Sequence, residues 1–516
     1  MSTSAKVINP VISGFHPDPS ICRVGSDYYV VTSSFQYFPG VPIFHSRDLV
    51  HWKQIGHCLT RKSQLDLDQC KSSMGIYAPT LRFHQGRFYM VTTNMKNLRN
   101  FFVWAEKPEG PWSDPIWLDW PGIDPSLFFD DDGRVYISGT NSFEKAETPG
   151  IYQAELDIET GSLLSPRRLI WEGTGSVAPE GPHLYCIQGK YYLLIAEGGT
   201  EYGHMVTIAR GESPYGPFES NPKNPILTHR STGYPIQATG HADLVQAGDG
   251  RWWAVFLGIR PVSVPFRGRH HHLGRETFLA PVAWSSDGWP TIGDGGTVPE
   301  KMDVGTLRLE GETKWLEIDH FNETYLQPCW NFIRNPDPNS WSLEERRGWL
   351  TLRGSSISLN DMGSPAFVGR RQQHFHCTVS TLLHFEPTRE GEEAGLTVYM
   401  DERHHYEIGL TLDPQNGRNV FLRRRVGSLW KVELQESFTG MEIVLGVEAN
   451  ESNYSFFYES NGIRKLFGLG ECALLSTEVA GGYTGVYFGL YATGNGRSCT
   501  VPACFDYFYY SPSKEQ

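Results

Sequence analysis

HPDPSICRVGSDYYVV, His16 to Val31, sets the pattern on which roughly the first 300 residues are built. Four later stretches repeat it: YAPTLRFHQGRFYMV from Tyr77, IDPSLFFDDDGRVYIS from Ile123, PEGPHLYCIQGKYYLL from Pro179 and GHADLVQAGDGRWWAV from Gly240. In each, a short aliphatic strand meets a polar or glycine-bearing turn, and an aromatic and aliphatic run follows. That is a β-hairpin written five times. Strand-rich repeats at this spacing are solved by radial stacking of four-stranded blades, so five copies predict a five-bladed β-propeller.

The repeat also predicts where chemistry gathers. The innermost strand of each blade starts near the axis, so equivalent positions of different blades converge there. Three residues before each anchoring aliphatic stand Asp18, Ala78, Asp124, Gly181 and His241, with Glu180 one place earlier in the fourth copy. Three carboxylates and an imidazole are therefore expected around one pore mouth. Asp before Pro is also ordinary turn chemistry, but Ala78-Pro79 in the second copy shows that the fold does not require the acid. Glycosidic cleavage uses one carboxylic acid to protonate the leaving oxygen and a carboxylate across the sugar ring, with a third able to raise the pKa of the acid by like-charge repulsion.

Between the hairpins, segments such as VPIFHSRDLVHWKQIG and FFVWAEKPEGPWSDPIWL supply two outer strands per blade. No window holds an apolar period of 3.6, so the chain is all-β. The assignment is a propeller over 1–300, a linker over 301–319 and, from ten alternating segments, a jelly-roll-like β-sandwich over 320–516. A net charge of −13 without a basic stripe argues against a nucleic-acid partner. No apolar run is long enough to span a bilayer as a helix. The N-terminus shows no apolar signal core, which gives a cytoplasmic expectation, with secretion as the alternative for a trimmed chain. Nine cysteines without a CxxC pair read as mostly free thiols, with Cys499 and Cys504 close enough in sequence to suggest one disulfide. His270-His271-His272 cannot all face one ion and reads as loop; Asp130-Asp131-Asp132-Gly133 reads as the turn of the third hairpin.

HPDPS, IDPSLF and PEGPHLY resemble the three catalytic motifs of glycoside hydrolase family 43, and TGHADLV, LGRETFL, CWNFIRNPDPNSWSL and FDYFYY extend the resemblance over nearly the whole chain. The resemblance implies that Asp18 is the general base, Glu180 the general acid and Asp124 the residue that tunes it. It implies that Arg275 contacts sugar hydroxyls and that Phe35 and Tyr77 wall the pocket, with Tyr77 standing where related xylosidases usually have Trp. It places His241 in the pore, where some relatives hold a single calcium ion; no other cofactor is implied. The implied activity is inverting exo-cleavage of terminal β-D-xylose from xylooligosaccharides. The alternatives are an α-L-arabinofuranosidase, or a protein of both activities, acting on arabinoxylan-derived chains, and a non-catalytic carbohydrate-binding propeller. A sandwich loop is expected to close the pocket, and a homo-oligomer is left open.

Overall fold

A computed structural model describes residues 6–141, 148–264, 268–303, 307, 309–310 and 316–513. Each repeated hairpin forms the two innermost strands of a separate antiparallel sheet. In the first, Ser20–Val24 pairs with Asp27–Val31, then Gly40–Ser46 and Lys53–Leu59. Four more sheets repeat the order, with inner strands Thr80–His84, Ile123–Phe129, Glu180–Ile187 and Gln237–Gln246. The fourth carries a short extra strand, Leu227–Thr228.

The inner strands neighbour one another around a ring, and the last lies against the first. Polar contacts mark the seams. Leu81 N donates to Ser20 Oγ at 3.0 Å between blades one and two, and Ile21 N donates to Asp243 Oδ2 at 3.0 Å between blades one and five. Apolar clusters fill the spaces between sheets, as where Val31, Ile43, Leu81 and Met90 meet between blades one and two. Lys6–Ile8 pairs with Lys301–Asp303, and the Asn9 side chain exchanges hydrogen bonds with the Leu279 backbone, so the chain start is pinned to blade five.

The sandwich has an eight-stranded and a six-stranded sheet over one apolar core, including Leu350, Val398, Ile408, Leu445, Phe488 and Phe505. The expected strands are present. Four strands that the sequence pattern did not single out join them: Ile318–Asp319, Trp341–Ser342, Ala366–Arg371 and Ile463–Glu471. Among the described residues, a 3-10 turn, Cys472–Leu475, and one α-helical turn, Thr477–Ala480, interrupt the all-β chain. All nine cysteines are free, so the suggested Cys499–Cys504 disulfide is corrected: Cys504 lies in the closing strand and Cys499 packs against Gly354. Part of the expected linker, 304–306, 308 and 311–315, lies outside the described residues; Ile318–Asp319 already pairs with the closing strand.

The domains are stitched together. Phe332–Ile333 of the sandwich pairs with Tyr37–Phe38 of the propeller. Arg334, fully buried, donates to Cys70 O and Gly363 O and ion-pairs with Glu402. Phe15, Phe35 and Tyr37 share a cluster with Phe367, Tyr399, Tyr487 and Tyr491. The aromatic floor of the propeller mouth is thus also the domain interface.

Candidate active site

Four of the five equivalent positions adopt left-handed backbone: Asp18 (φ 55°), Asp124 (53°), Gly181 (57°) and His241 (47°). Ladder irregularities accompany three of them, between Ile123 and Ser126, Glu180 and His183, and Gly240 and Asp243. Such bulges re-aim side chains, and a non-glycine residue held there costs about 1–3 kcal/mol. Repeating that cost around one axis turns Asp18, Asp124 and His241 out of their ladders together. Gly181 lacks a side chain for a local reason: a Cβ there would sit 2.8 Å from the His241 ring.

Asp18 is firmly held. Arg275 Nη1 donates to its Oδ1 at 2.7 Å and Ser33 Oγ to its Oδ2 at 2.6 Å, while His241 Nδ1 stands 4.0 Å from Oδ1. Burial works against its charge, but Arg275, His241 and the Ser33 hydroxyl outweigh it and hold the carboxyl below its usual range. Asp124 and Glu180 are the opposite case. Burial first, and then repulsion from Glu180 and Asp18, pushes Asp124 well up. Burial and the charge of Asp18 push Glu180 up to about 7, although it keeps part of its surface open to the pocket. Asp124 accepts one hydrogen bond, from Gly181 N at 3.2 Å; the Glu180 carboxyl has no partner among the described residues. These two titrate as a pair that retains a proton near neutrality. The mouth therefore presents an ionised carboxylate beside a protonated one.

Arg275, 6 % exposed, leaves Nε unbonded, and its guanidinium lies 5.8 Å from the ring centroids of Phe35 and Tyr483. Phe35 is only 2 % exposed and stacks between Phe15 (5.6 Å) and Tyr77 (5.0 Å), so it serves the interface core as well as the mouth. Tyr77 remains half-buried, its hydroxyl donating to Ser73 O. His241 is buried, and burial lowers its pKa against the pull of Asp18. Calcium takes six to eight oxygen ligands; His241 offers one imidazole, and among the described residues no three His, Cys, Asp or Glu side chains converge on an ion site. The donor set does not fit that ion.

The triplet His270-His271-His272 divides between two kinds of place. His270 ends a strand and His272 is buried beside Phe375 and Tyr454, while His271 pairs with Glu478 of the sandwich at 2.8 Å. Asp130 to Gly133 forms the third hairpin turn, as expected.

Tyr483 is the mouth residue that the sequence pattern did not single out. It belongs to the sandwich, faces Phe35 at 6.2 Å and Tyr77 at 6.1 Å, and is 44 % exposed. Its N–H donates to Ser73 Oγ at 2.8 Å. A Cβ on Gly482 would come 2.3 Å from that same Ser73 oxygen, so only glycine lets the loop dock. The stretch Gly481-Gly482-Tyr483-Thr484-Gly485, an aromatic among glycines, was the available signal.

Residues 7–290 match the family described as Glycosyl hydrolases family 43, and residues 318–511 match the Beta xylosidase C-terminal Concanavalin A-like domain. The chain belongs to glycosyl hydrolase family 43. Its family 43 relatives include a non-reducing end alpha-L-arabinofuranosidase of Bacteroides ovatus, 44 % identical over 97 % of this chain and 94 % of that protein. A beta-xylosidase of Bacillus subtilis is 34 % identical over 98 % and 99 %. The crystal structure of a xylan beta-1,4-xylosidase from Bacillus halodurans superposes with a TM-score of 0.91, at 37 % identity, covering 98 % of this chain and all of that one. The chain is accordingly a glycoside hydrolase, and the non-catalytic alternative falls away.

Proposed function

We propose that the protein is an inverting exo-glycosidase that releases terminal β-D-xylose from xylooligosaccharides, with Asp18 as general base and Glu180 as general acid. The observation that carries this reading is the pairing, at one pore mouth, of a carboxylate held ionised by Arg275 and Ser33 with a carboxyl whose pKa is raised to about 7. In the reaction, Asp18 removes a proton from water as the water oxygen bonds to the anomeric carbon. The bond from that carbon to the leaving oxygen breaks, and Glu180 gives its proton to the leaving oxygen. Attack from the face opposite the leaving group inverts the anomeric centre. Solvent then returns a proton to Glu180 and takes one from Asp18.

Asp124 is assigned the tuning role, since its buried carboxyl is coupled to that of Glu180 and the two share the same dry mouth. Arg275 both fixes Asp18 and offers its remaining donors to ring hydroxyls. Phe35, Tyr77 and Tyr483 form an aromatic wall for the terminal sugar, and the sandwich loop across the mouth favours chain ends over the middle of a polymer. A calcium ion has no role in this scheme.

Arabinofuranosidase activity is the second reading. It is favoured by Tyr77 in the wall and by the name of the Bacteroides ovatus relative. Proton NMR of the anomeric signal during xylobiose hydrolysis, beside an arabinofuranosyl-substituted xylooligosaccharide, tests both. Initial α-xylose supports inversion and xylosidase action; initial β-xylose overturns the base assignment. Arabinose release alone promotes the second reading.

A further inference from the structure

Away from the carboxylates, the two domains enclose a cleft of about 400 Å³. The propeller contributes the cation Lys53 and the sandwich Arg370 and Arg371, beside the imidazoles of His16 and His374, which burial lowers in pKa; among the described residues lining it none is Asp or Glu. In a chain of net charge −13 that concentration of positive groups needs a cause.

Arg371 supplies it. Its side chain is 3 % exposed at the end of the strand Ala366–Arg371. Nε donates to Phe15 O at 2.6 Å and Nη1 to Asn331 Oδ1 at 2.7 Å, while Nη2 is buried without a partner. Among the described residues Arg371 forms no ion pair. The rings of Phe15 and Tyr487, 5.6 Å and 5.3 Å from the guanidinium, soften the charge but do not cancel it. Buried charges in proteins are paired or bound to a counter-ion, because desolvation is otherwise uncompensated. The surroundings register that positive charge. His16 and His57 are pushed down first by burial and then by Arg371, so neither adds a further cation.

We propose that this interdomain cleft binds a small oxyanion, of the phosphate or polycarboxylate type, which pairs with the guanidinium of Arg371 and enters past Lys53. A guanidinium with a free N–H suits an oxyanion, since it offers directed donors as well as charge. Lys53 is exposed at the rim and supplies attraction at the entrance. An occupant would tie Arg371 to the propeller segment that runs from Phe15 through His16 to Asp18, with His16 N already donating to Arg275 O at 3.0 Å.

The test is calorimetric titration of the full chain with inorganic phosphate and, separately, with citrate, at constant ionic strength with chloride as the control. Saturable binding of one anion per chain is expected, with a rise in Tm, and the tighter of the two identifies the class. Affinity should fall at least fivefold in Arg371→Met and in Lys53→Glu. The proposal is overturned if neither anion binds saturably. It is overturned also if affinity is unchanged in Arg371→Met or, should that variant not fold, in the rim variant Lys53→Glu. The readout is heat and Tm rather than turnover, so it stands apart from the catalytic assignment.

Discussion

The pore holds acidic side chains at two levels, and they are treated in opposite ways. Two residues beyond each mouth position come Ser20, Thr80, Ser126, His183 and Asp243. Asp243, fully buried, accepts from Arg82, Ser20 Oγ, Ile21 N and the Tyr185 hydroxyl, at 2.6–3.0 Å for the shortest contact of each. Burial opposes its charge, but Arg82 and these donors drive its pKa far below the usual range. It joins blades one, two, four and five through a charge that these partners hold. At the mouth, Glu180 has no such partner and its pKa rises. A carboxylate whose lone pairs are engaged by donors holds blades together; one left without donors in the same dry pore has its pKa raised, which suits the proposed role of acid.

The largest effects should separate the two levels by kind. Glu180→Gln and Asp18→Asn are expected to lower kcat/KM on xylobiose by about 10²–10⁴-fold, the usual contribution of a general acid or base, with Tm little changed in Glu180→Gln and lowered in Asp18→Asn, which leaves buried Arg275 without its partner. Steady-state assays beside thermal melts check this; unaltered turnover in either variant breaks the assignment. Asp243→Asn should do the reverse. It leaves Arg82 buried and under-compensated, at a cost of about 3–5 kcal/mol in urea unfolding, while the folded fraction keeps most of its kcat.

The pH profile sharpens the contrast. The proposed mechanism needs Asp18 ionised and Glu180 protonated, so the rate should fall as pH drops through the lowered pKa of Asp18 and fall again as pH rises through about 7. Asp124→Asn removes the carboxyl coupled to Glu180 and tests whether it carries charge while Glu180 titrates: if it does, the alkaline limb moves to lower pH. A limb that stays near 7 is the expected outcome and shows that burial and Asp18 set the acid. The smallest expected effect is at the wall: Tyr483→Ala should raise KM up to about tenfold with a lesser change in kcat, in line with ~0.5–1.5 kcal/mol for an aromatic contact. An equal fall in kcat would instead place Tyr483 in the transition state.

The blades and the mouth carboxylates were legible because they repeat. Asp18, Asp124 and His241 occupy one place in a pattern that recurs five times, and closing the ring brings that place to one axis. Strand positions in the sandwich followed from alternation, except the two-residue strands Ile318–Asp319 and Trp341–Ser342, too short to alternate, Ala366–Arg371, whose paired arginines hide a buried strand, and Ile463–Glu471, an exposed edge.

The sequence by itself determined the fold class, the number of hairpins and which acids could meet, since each follows from local pattern and repetition. Only the tertiary structure decided how the meeting acids differ. Ser33 and Arg275 reach Asp18, Tyr483 reaches Ser73 across 410 positions, and Arg371 reaches Phe15 across 356. Those contacts set desolvation and hydrogen bonding, the quantities that fix a carboxyl's pKa, and they depend on the spatial neighbourhood rather than on neighbours in the chain.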